Sequence, residues 1–197
     1  MKQTFKPLAV AAALAVMTLS NSAYSEQLPK MADVDGWSIS VDPSLGNGCF
    51  ATSIFEDGSG LRFGFNFNQQ APLYISIIKH DWASIEDGKD YDVTLQFDRS
   101  PPWNATATGI HMGDFPGLIV SAADSNFFDQ LARKQHVTWY YNNVALDTYN
   151  LKGTYAAVDA LLACQEMVNK GGAGVTPPSK DPFGPPSKAP NKSDPFA

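Results

Sequence analysis

Cys49-Phe-Ala-Thr-Ser-Ile-Phe55, Glu56-Asp-Gly-Ser-Gly60 and Leu61-Arg-Phe-Gly-Phe-Asn-Phe67 follow one another without a break. The last run alternates: Leu61, Phe63, Phe65 and Phe67 fall on one face, and Arg62, Gly64 and Asn66 on the other. A period of two is the period of a strand, and two such runs around an acidic, Gly-rich turn predict a hairpin with one face in a core. The same signal recurs on both sides. Trp37-Ser-Ile-Ser-Val41 alternates and stops at Asp42-Pro43. Leu73 to Ile78, Tyr91 to Phe97, Thr106 to His111, Leu118 to Val120 and Val137 to Tyr141 read as further strands. Short strands at this spacing predict an antiparallel β-sandwich or barrel, so the fold class is mainly β with two helices (α+β).

The first helix is predicted over 125–134, capped by Ser125 or Asn126, with Phe127, Phe128 and Leu131 turned inward. The second begins at Gly153-Thr154, with Thr154 as N-cap, and stops at Gly171-Gly172. Its expected apolar stripe comprises Tyr155, Val158, Leu161, Leu162 and Gln165, and Cys164 lies on the same side as Leu161.

Composition sets the domain limits. Residues 1–25 have the layout of a secretory signal peptide: Lys2 and Lys6, an uncharged run from Leu8 to Leu19, then Ala23-Tyr24-Ser25 before a cut. The apolar run has 12 residues, against the roughly 20 that a retained membrane helix needs. Residues 26–35 read as a loose lead-in, 36–170 as a single β-rich domain, and 171–197, rich in Pro, Gly, Ser and Lys, as a disordered tail. Asp-Pro-Phe occurs twice in that tail, at 181–183 and 194–196, which reads as composition bias, with a short partner motif anchored by Phe as the alternative.

Cleavage after Ser25 removes two lysines and no acids, leaving 12 basic and 20 acidic side chains. An acidic domain repels phosphate backbones and anionic lipid, so nucleic acid and membrane surfaces are excluded as expected partners. No run after the first is long enough to span a bilayer. Cys49 and Cys164 are the only cysteines. In an oxidising compartment an even pair reads as a disulfide, here closing a loop of more than a hundred residues. It would pin the last helix to the start of the second predicted strand.

Catalytic and metal patterns are sparse. His80, His111 and His136 are spread over separate segments without metal-ligand spacing, and no G-x-S-x-G is present. Glu86, Asp87 and Asp90 surround a glycine, the ordinary composition of a turn. No motif calls for a cofactor or a metal. Aromatic side chains in loops are the remaining candidate. Trp82 sits in an expected loop, and Trp103 follows Arg99-Ser-Pro-Pro102, a stretch that must leave a sheet. Trp103, Arg99 and Trp82 are therefore the expected ligand-binding residues.

Residues 127–161, FFDQLARKQHVTWYYNNVALDTYNLKGTYAAVDAL, resemble the closing stretch of the invasion-associated locus B family of exported proteobacterial proteins. That family ends with a short helix, a β-hairpin and a segment of the form L-K-G-F-x-x-A-x-x-A-L, to which Leu151-Lys-Gly-Thr-Tyr-Ala-Ala-Val-Asp-Ala-Leu161 is similar. Gly36-Trp37 and Cys49-Phe-Ala51 echo its start, while the further cysteines expected of the family are missing. The resemblance implies a compact, β-sandwich-like exported domain and carries no catalytic residues.

The resulting expectation is a periplasmic or secreted, non-enzymatic binding protein of the bacterial envelope. It would recognise a protein, peptide or glycan through strand-end loops, as an inhibitor or immunity protein would. Two rivals are a hydrolase using carboxylates or His80, His111 and Asp114, and a structural envelope component tethered by its tail.

Overall fold

The computed structural model describes residues 29–124 and 126–171. The expected signal peptide, the cap at Ser125 and tail residues 172–197 lie outside the described residues. The described chain forms β1 (Lys30–Val34), β2 (Trp37–Asp42), β3 (Gly48–Ile54), β4 (Gly60–Phe65), β5 (Leu73–Ile78), β6 (Asp90–Phe97), β7 (Trp103–Met112), β8 (Phe115–Ala122), α1 (Asn126–Arg133), β9 (His136–Tyr141), β10 (Val144–Asn150) and α2 (Thr154–Asn169). All strands join one sheet in the order β1-β2-β3-β4-β5-β8-β7-β6-β9-β10, and every neighbouring pair is antiparallel. No helix among the described residues is long and apolar enough to cross a membrane.

The predicted hairpin is β3–β4, with Ala51 opposite Phe63 and Ile54 opposite Gly60. Its turn closes because the Asp57 carboxylate accepts from both the amide and the hydroxyl of Ser59. Alternation then places Leu61 and Phe63 in one continuous core with Trp37, Ile75, Val93, Leu95, Val120 and Trp139. Phe67, expected inward, is 46% exposed because β4 ends at Phe65. Beyond that point the chain turns out, and Phe67 stacks on Phe65 with ring centroids 5.5 Å apart.

The ends of the sheet meet through side chains. The Phe55 ring packs on Tyr149 of β10 at 5.1 Å. Lys79 Nζ, just after β5, binds Asp147 of β10 at 2.7 Å and Asp57 of the β3–β4 turn at 3.2 Å. The two carboxylates, Asp147 foremost, hold the Lys79 ammonium well above its ordinary pKa. Trp37 Nε1 donates to the Lys152 carbonyl at 3.0 Å, closing the same seam. A twisted sheet of this many strands curls, and here the curl brings β10 over the β3–β4 end.

The outward face of β2–β5 carries a second buried arrangement. Arg62 lies flat on the Phe50 ring, its guanidinium carbon 3.5 Å from the centroid, and Nη2 donates to Asp42 Oδ2 at 2.7 Å. Burial pushes the Asp42 carboxyl up, but hydrogen bonds from Arg62 and Ser44 outweigh it and leave the pKa lowered. Tyr74, whose hydroxyl accepts from Arg62 Nε, is pushed to about 12, chiefly by burial.

Residues 30–34, expected as a loose lead, instead form β1 against β2, with Val34 opposite Trp37. Thr154 is not the N-cap of α2. Gly153 holds that position at φ 82°, and a Cβ there would meet the Asp35 carbonyl oxygen at 2.5 Å. The Thr154 hydroxyl turns inward, 2.7 Å from the carbonyl oxygens of both Leu131 and Leu151. The buried stripe of α2 is Thr154, Ala157, Val158, Leu161, Cys164 and Gln165. Tyr155 and Leu162, expected on it, are 64% and 48% exposed, because at 100° per residue they fall off a stripe centred on Leu161. Cys49 and Cys164 form the expected disulfide, fully buried between β3 and α2. Beside it Gln165 Oε1 accepts from the Cys49 amide at 2.8 Å, satisfying a backbone donor inside the interface.

Candidate functional site

The site is built where β6 and β7 are joined. Phe97 ends β6 in the core, and Asp98 then adopts φ 49°, reversing the chain. Its carboxylate accepts from the amides of Gln135 (3.1 Å) and His136 (2.9 Å), and its own amide donates to the His136 carbonyl. Loop 98–102 is thereby fastened to the start of β9. Ser100 N donates to the Phe97 carbonyl at 2.9 Å, and Pro101-Pro102 lead into Trp103, the first residue of β7.

On the other side α1 begins. The Asp124 carboxylate accepts from the amide of Asn126, the first residue of α1, at 2.9 Å. Phe127 and Phe128 turn into the core, with Phe127 meeting Trp103 at a centroid distance of 5.9 Å and an interplanar angle of 54°. Lys134, one residue past α1, reaches back across the opening and donates to Ser100 Oγ at 2.7 Å.

Between these two walls lies a cleft of about 390 Å³. Phe97, Pro101, Trp103, Ala122 and Phe127 form its apolar lining, while Ser100, Asn126 and Gln130 are its uncharged polar groups. Its charged groups are Lys134 and Asp124. This size and this mixture of an aromatic floor with a few polar groups at the rim suit a small ligand or a single anchored side chain. A partner group entering it would displace water from the two tilted rings and find one cation and one carboxylate at the edge.

Of the three residues expected to bind, only Trp103 lines this cleft. Arg99 is exposed and lines a neighbouring polar recess with Asp98, Gln135 and His136; Ser100 and Lys134 border both. Trp82 is separate. It lies in the loop that precedes β6, whose backbone binds the far end of β7 through Gly88 and Gly109. Gly109, where that loop binds, lies six positions along β7 from Trp103, roughly 20 Å at strand rise. Phe127, Lys134, Asp124 and Gln130 escaped the sequence reading as site residues. Phe127 and Lys134 carried a signal, as an inward helix position and a basic helix end, but neither indicates a cleft.

The residues proposed for a hydrolase gather at the Trp82 end. His80 packs against Phe115 at 6.0 Å, His111 Nδ1 lies 2.7 Å from Asp87 Oδ1, and Asp114 is exposed in the β7–β8 turn. Among the described residues no hydroxyl or thiol is hydrogen-bonded to a histidine ring, and no three His, Cys, Asp or Glu side chains are grouped for a metal.

No protein-family model matches the chain, and no curated protein matches it. Among solved structures it is similar to invasion associated protein b from Bartonella henselae, at 16% identity and a TM-score of 0.48, with 68% of this chain and 97% of that chain covered.

Proposed function

We propose that the chain is an exported binding protein of the bacterial envelope that takes an apolar or aromatic side chain of a protein or peptide partner into the Trp103–Phe127 cleft. The observation that carries this is the cleft itself, a concave aromatic floor held between the hydrogen-bonded loop 98–102 and α1. Sugars prefer to stack on a flat, open aromatic face. Here Trp103 is half-buried and tilted against Phe127, a shape that suits a side chain over a pyranose plane. The polar rim would fix orientation, and the apolar floor would supply affinity. Export is supported by the leader-like residues 1–25 and by a buried disulfide, which persists in oxidising compartments.

The test is retention of partners from a periplasmic extract on the immobilised full chain, compared with Trp103→Ala and Lys134→Ala. Specific proteins or peptides should be retained by the native chain and lost by Trp103→Ala, while Trp82→Ala retains them. Equal retention by all four chains, or none by the native one at micromolar concentration, refutes the assignment to this cleft.

A further inference from the structure

The geometry points to an occupant that the chain carries itself: the segment Asp181-Pro182-Phe183, seated in the Trp103–Phe127 cleft of the same molecule. This rests on the reading of the cleft as a binding site and names what fills it when no partner is present.

Position is the first argument. α1 and α2 pack against each other in opposite directions. Thr154, at the start of α2, meets the Leu131 carbonyl near the end of α1. At its other end α2 carries Cys164 and Gln165, which hold Cys49 at the start of β3. That strand start lies against Phe65: a Cβ built on Gly48 would meet the Phe65 carbonyl oxygen. Phe65 in turn packs edge-on against Phe128 in the first turn of α1, at 5.4 Å. The C-terminal half of α2, through Cys164 and Gln165, therefore lies toward the first turn of α1, where Asn126 and Phe127 line the cleft.

Reach is the second. Phe183 lies twelve positions beyond Gly171. Extended, they span roughly 40 Å, and as a flexible coil about 20 Å. A domain of this size has a radius of gyration of about 14 Å. The segment reaches the cleft without stretching.

Chemistry is the third. Residues 29–171 carry nine basic and 17 acidic side chains, while residues 172–197 carry three lysines and two aspartates. A tail of charge +1 thus faces a domain of charge −8. Within the segment, Lys180 and Asp181 precede Phe183. The cleft offers their complements, Asp124 and Lys134, on either side of an aromatic floor of side-chain size. Pro182 restricts the backbone between charge and ring, so less freedom is lost on seating. The second Asp-Pro-Phe, at 194–196, can take the same place, but the loop it closes is about twice as long. Loop closure then disfavours it by about threefold relative to the first.

The experiment uses the full chain. Trp103→Phe identifies the Trp103 indole N–H resonance among the four tryptophans, and Trp37, Trp82 and Trp139 serve as controls. Phe183→Ala should move the Trp103 resonance and leave the other three in place, at all protein concentrations. Phe196→Ala should move it less, and the double variant most. Lys134→Glu should give the same resonance position whether or not Phe183 is present. Both alanine substitutions fall beyond Asn169, the end of α2, so every described element keeps its own side chains. A Trp103 resonance unmoved in the double variant overturns the inference, as does a shift that depends on protein concentration, which would indicate a second copy. If Trp103→Ala abolishes partner retention while the double variant leaves Trp103 unmoved, the tail inference falls and the binding reading stands. If the double variant moves Trp103 but Trp103→Ala retains every partner, the tail seats there and the binding reading falls.

Discussion

Replacing both cysteines, Cys49→Ala with Cys164→Ala, tests the proposal that a single covalent link sets how firmly the last helix is held. The bridge spans a sequence separation of 115 residues. Chain-entropy arithmetic for a loop of that length gives about 4.8 kcal/mol at 25 °C, all of it from restricting the unfolded chain. Domains of this size have a net stability of about 5–15 kcal/mol, so the loss is a large share of the whole. It corresponds to a fall in Tm of roughly 15–20 °C. The loss should also be uneven. Without the bridge, α2 is held by Ala157, Val158, Leu161 and the Gln165–Cys49 amide bond, whereas β4 and β5 keep a ladder on both sides. Urea unfolding of the native and double-alanine chains measures the total. Hydrogen exchange resolves where protection is lost, and residues 154–169 should open before β4 and β5. A loss below about 1 kcal/mol, the size of one hydrogen bond, refutes the reasoning. So does exchange that accelerates equally in helix and sheet.

Three further outcomes follow from the same packing. Arg62→Met leaves the Asp42 carboxylate buried without its cation and should cost about 3 kcal/mol in urea unfolding at neutral pH; Asp42→Asn combined with it should cost less than the two single changes added. Asp57, held at about 2 by Ser59 and then Lys79, has a depressed pKa, so its contribution is present above the ordinary carboxylate value and is lost as pH falls through about 2. Asp57→Asn should therefore lower stability at pH 7 and flatten its pH dependence between about 4 and 2, measured by thermal melts. Gly64→Ala places a Cβ 2.4 Å from the Cys49 carbonyl oxygen and should cost more than about 2 kcal/mol. Gly58→Ala, in open space at φ 78°, should cost only about 1–2 kcal/mol, the left-handed backbone penalty.

Much of the sheet was legible in the sequence because alternate side chains of its strands are apolar and meet the core. Leu61-Arg62-Phe63 and Ile75-Ser76-Ile77 alternate in the sequence because one face meets the core. Where a strand lacks that contrast, the signal fades. β1 is an edge strand with three half-buried and two exposed residues and no fully buried side chain. In β10 a register shift between Ala145 and Asp147 breaks the period, and only Tyr149 is fully buried. Its existence came through family resemblance, not through alternation. The stripe of α2 was misplaced by the pull of hydrophobicity: Tyr155 and Leu162 look like core residues, but helical geometry around Cys164 turns them to solvent.

The sequence by itself determined the β-rich class, the hairpin 49–67, two helices and the cysteine pair. Each of these depends on contacts or periodicities that a short window contains, or on the arithmetic of two thiols. Tertiary structure alone decided the reversed insertion of β8, β7 and β6 between β5 and β9, and the seam where Phe55 and Lys79 receive β10. It also decided the cleft. Trp103 and Phe127 stand 24 positions apart and Ser100 and Lys134 stand 34 apart. They meet only because Asp98 fastens its loop to the amides of Gln135 and His136. No local pattern encodes that fastening, since it depends on which strands become neighbours. Strand order is set by burial of the whole core, not by any segment within it.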